Sequence, residues 1–176
     1  VCSSDLLALW MFGNAIENYW GGKRFLIYYL LTGLGAAALH LGILEFQIHD
    51  LMRSMDQQTI DLVKKEGAGV LNSMHNYSNP QMAQLNVLLN TSTVGASGAV
   101  FGALLAFGMM YPNTIIYVYF ALPIKAKYFV MLYGAFELYA GIQNNPGDNV
   151  AHFAHLGGMI FGYILLKYWS RNRHQY

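Results

Sequence analysis

Charged residues are scarce in this sequence of 176 residues, and neither sign of charge dominates. Asp, Glu, Lys and Arg make up 11% of the chain, where a soluble domain carries about 25%. Lys and Arg number 10 against 9 Asp and Glu, so the basic excess typical of a nucleic-acid partner is missing. Cysteine occurs once, as Cys2, which excludes an internal disulfide framework and a cluster of thiolate metal ligands.

Apolar residues are abundant instead. Hydrophobic residues make up 55% of the chain, aromatic residues 15%, and the mean hydropathy is +0.31. This composition excludes a disordered chain and suits one whose solvent is partly lipid. The sequence therefore predicts an all-α, polytopic membrane protein in a lipid bilayer.

Polar segments divide the chain into apolar runs. A helix needs about 20 residues to span a bilayer, and the first run, 6–16, is shorter. We interpret it as the end of a helix whose start lies upstream, so that the chain is an N-terminally truncated fragment. The pattern predicts further spans at 25–46, 95–111, 127–142 and 149–169. Residues 1–176 are expected to form a single membrane domain.

The polar segment 47–94 is predicted to be an extra-membrane loop. Within it, apolar residues at helical spacing between Leu51 and Val63 predict an amphipathic helix over 51–70. Residues 72–84 are rich in Asn and Ser and are typical of a loop. The apolar stretch 115–124, which contains Pro123, is expected to lie at the membrane interface.

The basic residues of the short loops predict an orientation. If the Lys23–Arg24 turn is inside, the 47–94 loop and the loop near Asp148 fall outside, and neither has a basic excess. The remaining short basic segments then fall inside, as the positive-inside rule requires: Lys125, Lys127, Lys167, Arg171 and Arg173. We expect a multi-pass protein of a bacterial plasma membrane with a cytoplasmic C-terminus.

A serine and a histidine are predicted to meet inside the membrane. Ser97 begins a span within Gly95-Ala96-Ser97-Gly98, and His155 lies about 10 Å into the last span, at similar depth. Small residues let neighbouring helices approach closely, and two such faces flank the pair: Gly98 with Gly102, and Gly158 with Gly162. A neutral imidazole can take the proton of a serine hydroxyl and make it a nucleophile. The expected site is a Ser-His dyad, with no carboxylate to complete a triad.

Other polar residues in the spans allow other interpretations. His152 precedes His155 by three residues, and the two, with His40 as a third ligand, would form a zinc site. Because we expect no Asp or Glu beside these histidines, we expect no bound metal. His152 is then expected to lie nearer the cavity mouth and to hydrogen bond to water or substrate. Glu137 is either part of a proton path or, more simply, a buried polar residue that links its helix to a neighbouring one (a polar tie). The aromatic residues form no pattern typical of a cofactor site.

These motifs resemble those of the rhomboid family of intramembrane serine proteases. The resemblance rests on Gly95-Ala96-Ser97-Gly98, on Ala154-His155-x-x-Gly158-x-x-x-Gly162, and on Glu17-x-x-x-Gly21, which is similar to a turn between the family's second and third helices. It implies a six-helix bundle around an outward-facing cavity, here without the first helix and the start of the second. It also implies that Ser97 is the nucleophile, His155 the general base, and Phe101 the aromatic residue that packs on the imidazole.

Two positions depart from that resemblance. In the family, a His and an Asn on the second helix help to stabilise the oxyanion, and counting back from Glu17 brings those positions to Val1 and Asp5. The remaining oxyanion donor is then the backbone N–H of Ser97, with Gly95, Gly98 and His152 as supporting residues. The resemblance implies cleavage of transmembrane protein substrates without a cofactor. The alternative function is a non-catalytic rhomboid-like protein that binds membrane clients.

Overall fold

The computed structural model describes residues 2–90, 96–118, 122–143 and 152–171, most of which are helical. A π-helical turn, Leu9–Gly13, joins the first two helices, and one hairpin precedes α7. The elements in chain order are α1 (Cys2–Ala8), α2 (Asn14–Trp20), α3 (Gly22–Arg53), α4 (Gln57–Asn72), α5 (Pro80–Asn90), α6 (Ser97–Met110), β1 (Ile115–Val118), β2 (Leu122–Lys125), α7 (Ala126–Gln143) and α8 (His152–Arg171). The predicted helical fold class is confirmed.

The apolar runs predicted as spans form helices with similar bounds. Helices α6, α7 and α8 correspond to the runs 95–111, 127–142 and 149–169, and α3 extends the run 25–46 at both ends. The stretch 115–124 contains two antiparallel strands, in which Ile115 pairs with Lys125 and Val118 with Leu122. Pro123 is accommodated there because a two-stranded ribbon leaves one side of each strand free of ladder hydrogen bonds.

The helix limits predicted for the segment 47–94 are wrong. Leu51 belongs to the last turns of α3, which ends at Arg53. Residues 54–56 are not helical, and α4 begins at Gln57. Asp56 is the reason for the break, because its carboxylate accepts hydrogen bonds from the Thr59 backbone N–H at 2.9 Å and from the Thr59 hydroxyl at 2.6 Å. These bonds cap α4 and lower the pKa of Asp56 below its ordinary value.

The predicted loop 72–84 is also partly wrong, since α5 begins at Pro80. Proline suits the first turn of a helix because that position needs no backbone N–H donor. The Asn79 side chain accepts from the N–H of Gln81 at 2.9 Å and of Met82 at 3.3 Å. The segment therefore carries two capped helices.

The described residues divide into two compact units. One contains the described residues within 1–40, 96–143 and 152–171, and the other contains residues 41–90. The second unit has a small apolar core of Ile60, Val63 and Leu85. The single-domain assignment of residues 1–176 stays a prediction.

The first unit has an apolar core that also contains a few polar side chains, and it exposes large apolar side chains on its outer helices. Helix α6 is buried along almost its whole length, and the other buried polar groups of the unit include Thr32 and Glu137. Large apolar residues are exposed on the outer helices, among them Leu26, Leu30, Met131, Leu132, Ile160 and Ile164. Apolar surface of this extent is costly in water and favourable in lipid.

Helix α3 has the length and hydropathy of a membrane span, and among the described residues no other helix passes the same test. Helix α6 is apolar but has 14 residues, or about 21 Å of helix against a hydrocarbon core of about 30 Å. If the C-terminal end of so short a helix reaches one surface of the membrane, its first residue lies below the other surface.

The Glu17-x-x-x-Gly21 motif forms a turn between two helices. Gly21 has φ of 80°, a backbone conformation that favours glycine, and its N–H donates to the Glu17 carbonyl at 2.7 Å. Helix α2 ends at Trp20 and α3 begins at Gly22. The turn that the resemblance implies is therefore present.

Candidate active site

Ser97 is the first residue of α6 and is buried, with 9% of its surface exposed. The first N–H groups of a helix have no partner within it and carry partial positive charge. The Ser97 side chain is therefore next to N–H donors able to bind a negatively charged oxygen. Gly95 lies outside the described residues.

Helices α6 and α8 meet backbone to backbone beside Ser97 and His155. A Cβ atom built on Gly158 would overlap the carbonyl oxygen of Gly98, and one built on Gly98 would come within 2.9 Å of the Ala154 carbonyl oxygen. One turn further along, a Cβ on Gly162 would lie 3.3 Å from the Gly102 Cα. The close approach predicted from these glycines is confirmed.

The imidazole of His155 stacks on Phe101. The ring centroids are 3.9 Å apart and the planes differ by 5°. Phe101 follows Ser97 by one helical turn, so the two side chains lie on one face of α6. The face of α6 that carries Ser97 is thus the face that contacts His155, and the predicted packing of Phe101 on His155 is confirmed.

A carboxylate beside His155 corrects the expectation that none completes a triad. Glu137 is 3% exposed, and its Oε2 lies 2.9 Å from Nδ1 of His155. This contact has the length of an ion pair without the alignment of a full hydrogen bond. Glu137 belongs to α7, so three helices contribute to the cluster. Of its two sequence interpretations, the structure favours the polar tie.

His152, which the sequence analysis expects nearer the cavity mouth, is buried beside Glu137. It is 9% exposed, and its Nδ1 lies within hydrogen-bond distance of Glu137 Oε2, at 2.6 Å. One carboxylate oxygen thus contacts both histidines, whose ring centroids are 6.4 Å apart and whose planes are nearly perpendicular.

Glu137, His152 and His155 also have the chemistry of a metal-ligand set. Their ligand atoms lie within 4.8 Å of one another, and two imidazoles with one carboxylate form a known zinc combination. The third ligand considered from the sequence, His40, is not a member of this group. The reason given for expecting no metal, the lack of a nearby acid, is therefore wrong.

The contact of Glu137 with the two histidines could not be predicted from the sequence, for a specific reason. Periodicity gives the face of a helix but not its rotation towards a helix far away in the chain. The available signal was an acidic residue within an apolar run, which membrane burial makes costly unless the group has partners.

Of the two expected oxyanion positions, Asp5 lies in α1 and is partly buried, and Val1 lies outside the described residues.

Comparison with known families gives one finding. A family model described as the rhomboid domain matches residues 66–172, more than half of the chain. The match contains Ser97, Phe101, Glu137, His152 and His155, and it begins after the Glu17–Gly21 turn. No curated protein and no solved structure matches.

Proposed function

We propose that this chain, which belongs to the rhomboid family, is a serine endopeptidase that cleaves transmembrane segments of other membrane proteins. The family is one of intramembrane proteases that act on membrane proteins, and the chain is accordingly a membrane protein. The stacking of Phe101, one turn after Ser97, on the His155 ring carries the proposal. This contact brings the helix face of the nucleophile to the base.

The reaction follows from the chemistry of the two groups. Ser97 Oγ attacks the carbonyl carbon of the scissile peptide while His155 takes the hydroxyl proton. The proton passes to the leaving amine as the C–N bond breaks, and water hydrolyses the acyl-enzyme with His155 again acting as base. The N–H of Ser97 at the start of α6 is a donor to the oxyanion. No step needs a cofactor.

The alternative function, binding of membrane clients without cleavage, is favoured by Asp5. A carboxylate at an oxyanion position repels the negative charge that the reaction develops there, and loss of one donor costs about 10²–10³ in rate. The buried Ser97 and His155 argue for the protease, because a binding protein needs neither.

Inhibitor sensitivity separates the serine mechanism from a metal mechanism. Cleavage of a membrane substrate in proteoliposomes should stop after treatment with a fluorophosphonate, which modifies activated serines, and should continue in 1,10-phenanthroline, which removes zinc. Loss of cleavage in the chelator, with recovery on added zinc, would instead assign Glu137, His152 and His155 to a metal.

We also propose the orientation that the basic residues indicate. The Arg24 guanidinium lies 4.7 Å from the centre of the Trp169 ring, so the α2–α3 turn and the end of α8 lie together, as expected if both are cytoplasmic. The multi-pass topology then has the start of α6 on the outer side.

Cysteine accessibility in intact cells tests this orientation. In a Cys2→Ala background, Ser73→Cys should react with a membrane-impermeant maleimide, because residues 47–94 are outside. Ser170→Cys should react after the cells are permeabilised. Both serines are exposed, so equal labelling in intact cells would contradict the topology.

A further inference from the structure

We propose that Glu137 is a positioning residue for His155, so that Ser97, His155 and Glu137 act as a triad. The proposal rests on the serine-protease function above and extends it. It starts from one buried carboxylate oxygen, which lies 2.9 Å from Nδ1 of His155 and 2.6 Å from Nδ1 of His152.

We assign the proton of each imidazole to Nδ1, the nitrogen that contacts the carboxylate oxygen, at hydrogen-bond geometry for His152 and at ion-pair distance for His155. A carboxylate oxygen has two lone pairs and accepts from two donors, and a neutral imidazole carries its proton on one nitrogen only. With that proton on Nδ1, Nε2 of His155 keeps the lone pair that a general base needs. Glu137 therefore selects the reactive tautomer.

Two contacts together fix the direction of that lone pair. The parallel stack on Phe101 sets the plane of the His155 ring but leaves the ring free to turn within the plane. The Glu137 contact at Nδ1 removes that freedom. Nε2 is then held in one direction, and holding reactants in a reactive geometry is a large part of catalysis.

Glu137 also acts during the reaction without changing its own protonation. As Ser97 Oγ bonds to the carbonyl carbon, its proton moves to Nε2 and the ring becomes an imidazolium. The positive charge faces the Glu137 carboxylate, which stabilises it in a buried site. The proton then moves from Nε2 to the leaving amine, and the ring returns to its neutral form.

The distances favour a hydrogen bond and an ion pair over coordination of a metal ion. Zinc–ligand bonds of about 2.0–2.1 Å in a tetrahedron put neighbouring ligand atoms about 3.3 Å apart. The separations of 2.6 and 2.9 Å are shorter than this and match charge-assisted hydrogen bonds and ion pairs.

Two substitutions separate the charge of Glu137 from its size. Glu137→Gln keeps the size and loses the charge, whereas Glu137→Asp keeps the charge and is one methylene shorter. If Glu137 only packs, the Gln variant is the more active. We expect the reverse, with kcat of Glu137→Gln lowered by about 10²–10⁴, KM within about threefold, and Glu137→Asp clearly above Glu137→Gln. Rates are compared per folded protein, with the folded fraction taken from circular dichroism.

The control is Glu66→Gln on α4, where the side chain is exposed, and its kcat should be unchanged. His152→Ala should lower kcat by about tenfold or less, because Glu137 still contacts His155. A Glu137→Gln variant with kcat within threefold of the unaltered protein, or above that of Glu137→Asp, would overturn the triad.

A spectroscopic measurement needs no Glu137 variant and therefore holds even if both fail to fold. In protein labelled with ¹⁵N-histidine, the signals absent from His155→Gln belong to His155. They should show a protonated Nδ1 and an unprotonated Nε2, and the opposite tautomer would overturn the proposal. Ser97→Ala keeps the two tests apart: if it still cleaves substrate, the serine-protease function itself fails, whatever Glu137 does.

Discussion

Ser97→Ala and His155→Ala should each lower kcat for cleavage of a membrane substrate by about 10⁴-fold or more, and the double variant should lose little beyond that. The reason is that the hydroxyl is a poor nucleophile without the base, and the base has no proton to take without the hydroxyl. Residues that act as one unit in this way have strongly non-additive effects. The measurement is a kinetic double-mutant cycle in proteoliposomes.

Exposed residues of the same types provide the controls for this cycle. Ser73→Ala and His49→Ala alter exposed side chains, and both variants should keep normal kcat. Additive losses, in which the double variant falls by the product of the two single effects, would show that Ser97 and His155 do not act together.

Gly158→Ala should have the largest effect on stability. The added methyl group is fixed directly on the α8 backbone and would overlap the carbonyl oxygen of Gly98, an atom of the α6 backbone, so no flexible side chain can move aside. Overpacking of a core costs about 1–3 kcal/mol where side chains can adjust, and we expect more here. The unfolding temperature in detergent should fall well below that of the unaltered protein, and activity should be lost because α6 and α8 separate.

Gly42→Ala on α3 is the matched control, because a Cβ at Gly42 has no atom within 4 Å. Alanine also favours the helix over glycine by about 1 kcal/mol. That variant should unfold at the same temperature or slightly higher. Equal unfolding temperatures for Gly158→Ala and Gly42→Ala would show that the α6–α8 contact is not as close as described.

The parts of the fold that sequence predicts well are those that local pattern determines. The apolar runs that became α6, α7 and α8 were predicted within a few residues, and the glycine faces correctly indicated where α6 and α8 approach. The break before α4 was missed because it depends on a single capping side chain, Asp56.

The site was predictable only in part, for a related reason. Ser97, Phe101 and His155 belong to motifs that resemble those of the rhomboid family, and that resemblance implied the contact of Phe101 with His155. Glu137 is 18 residues from His155 on another helix, and its contact depends on the rotation of α7 against α8. Helical periodicity in the sequence does not determine how α7 is rotated relative to α8.

The most direct test of the central claim, that Ser97 is an activated nucleophile, is the mass-spectrometric location of a fluorophosphonate adduct on the folded protein. The adduct should be on the peptide that contains Ser97, and it should disappear in Ser97→Ala and in His155→Ala. An adduct on another serine, or cleavage of a membrane substrate at the normal rate by Ser97→Ala, would contradict the account.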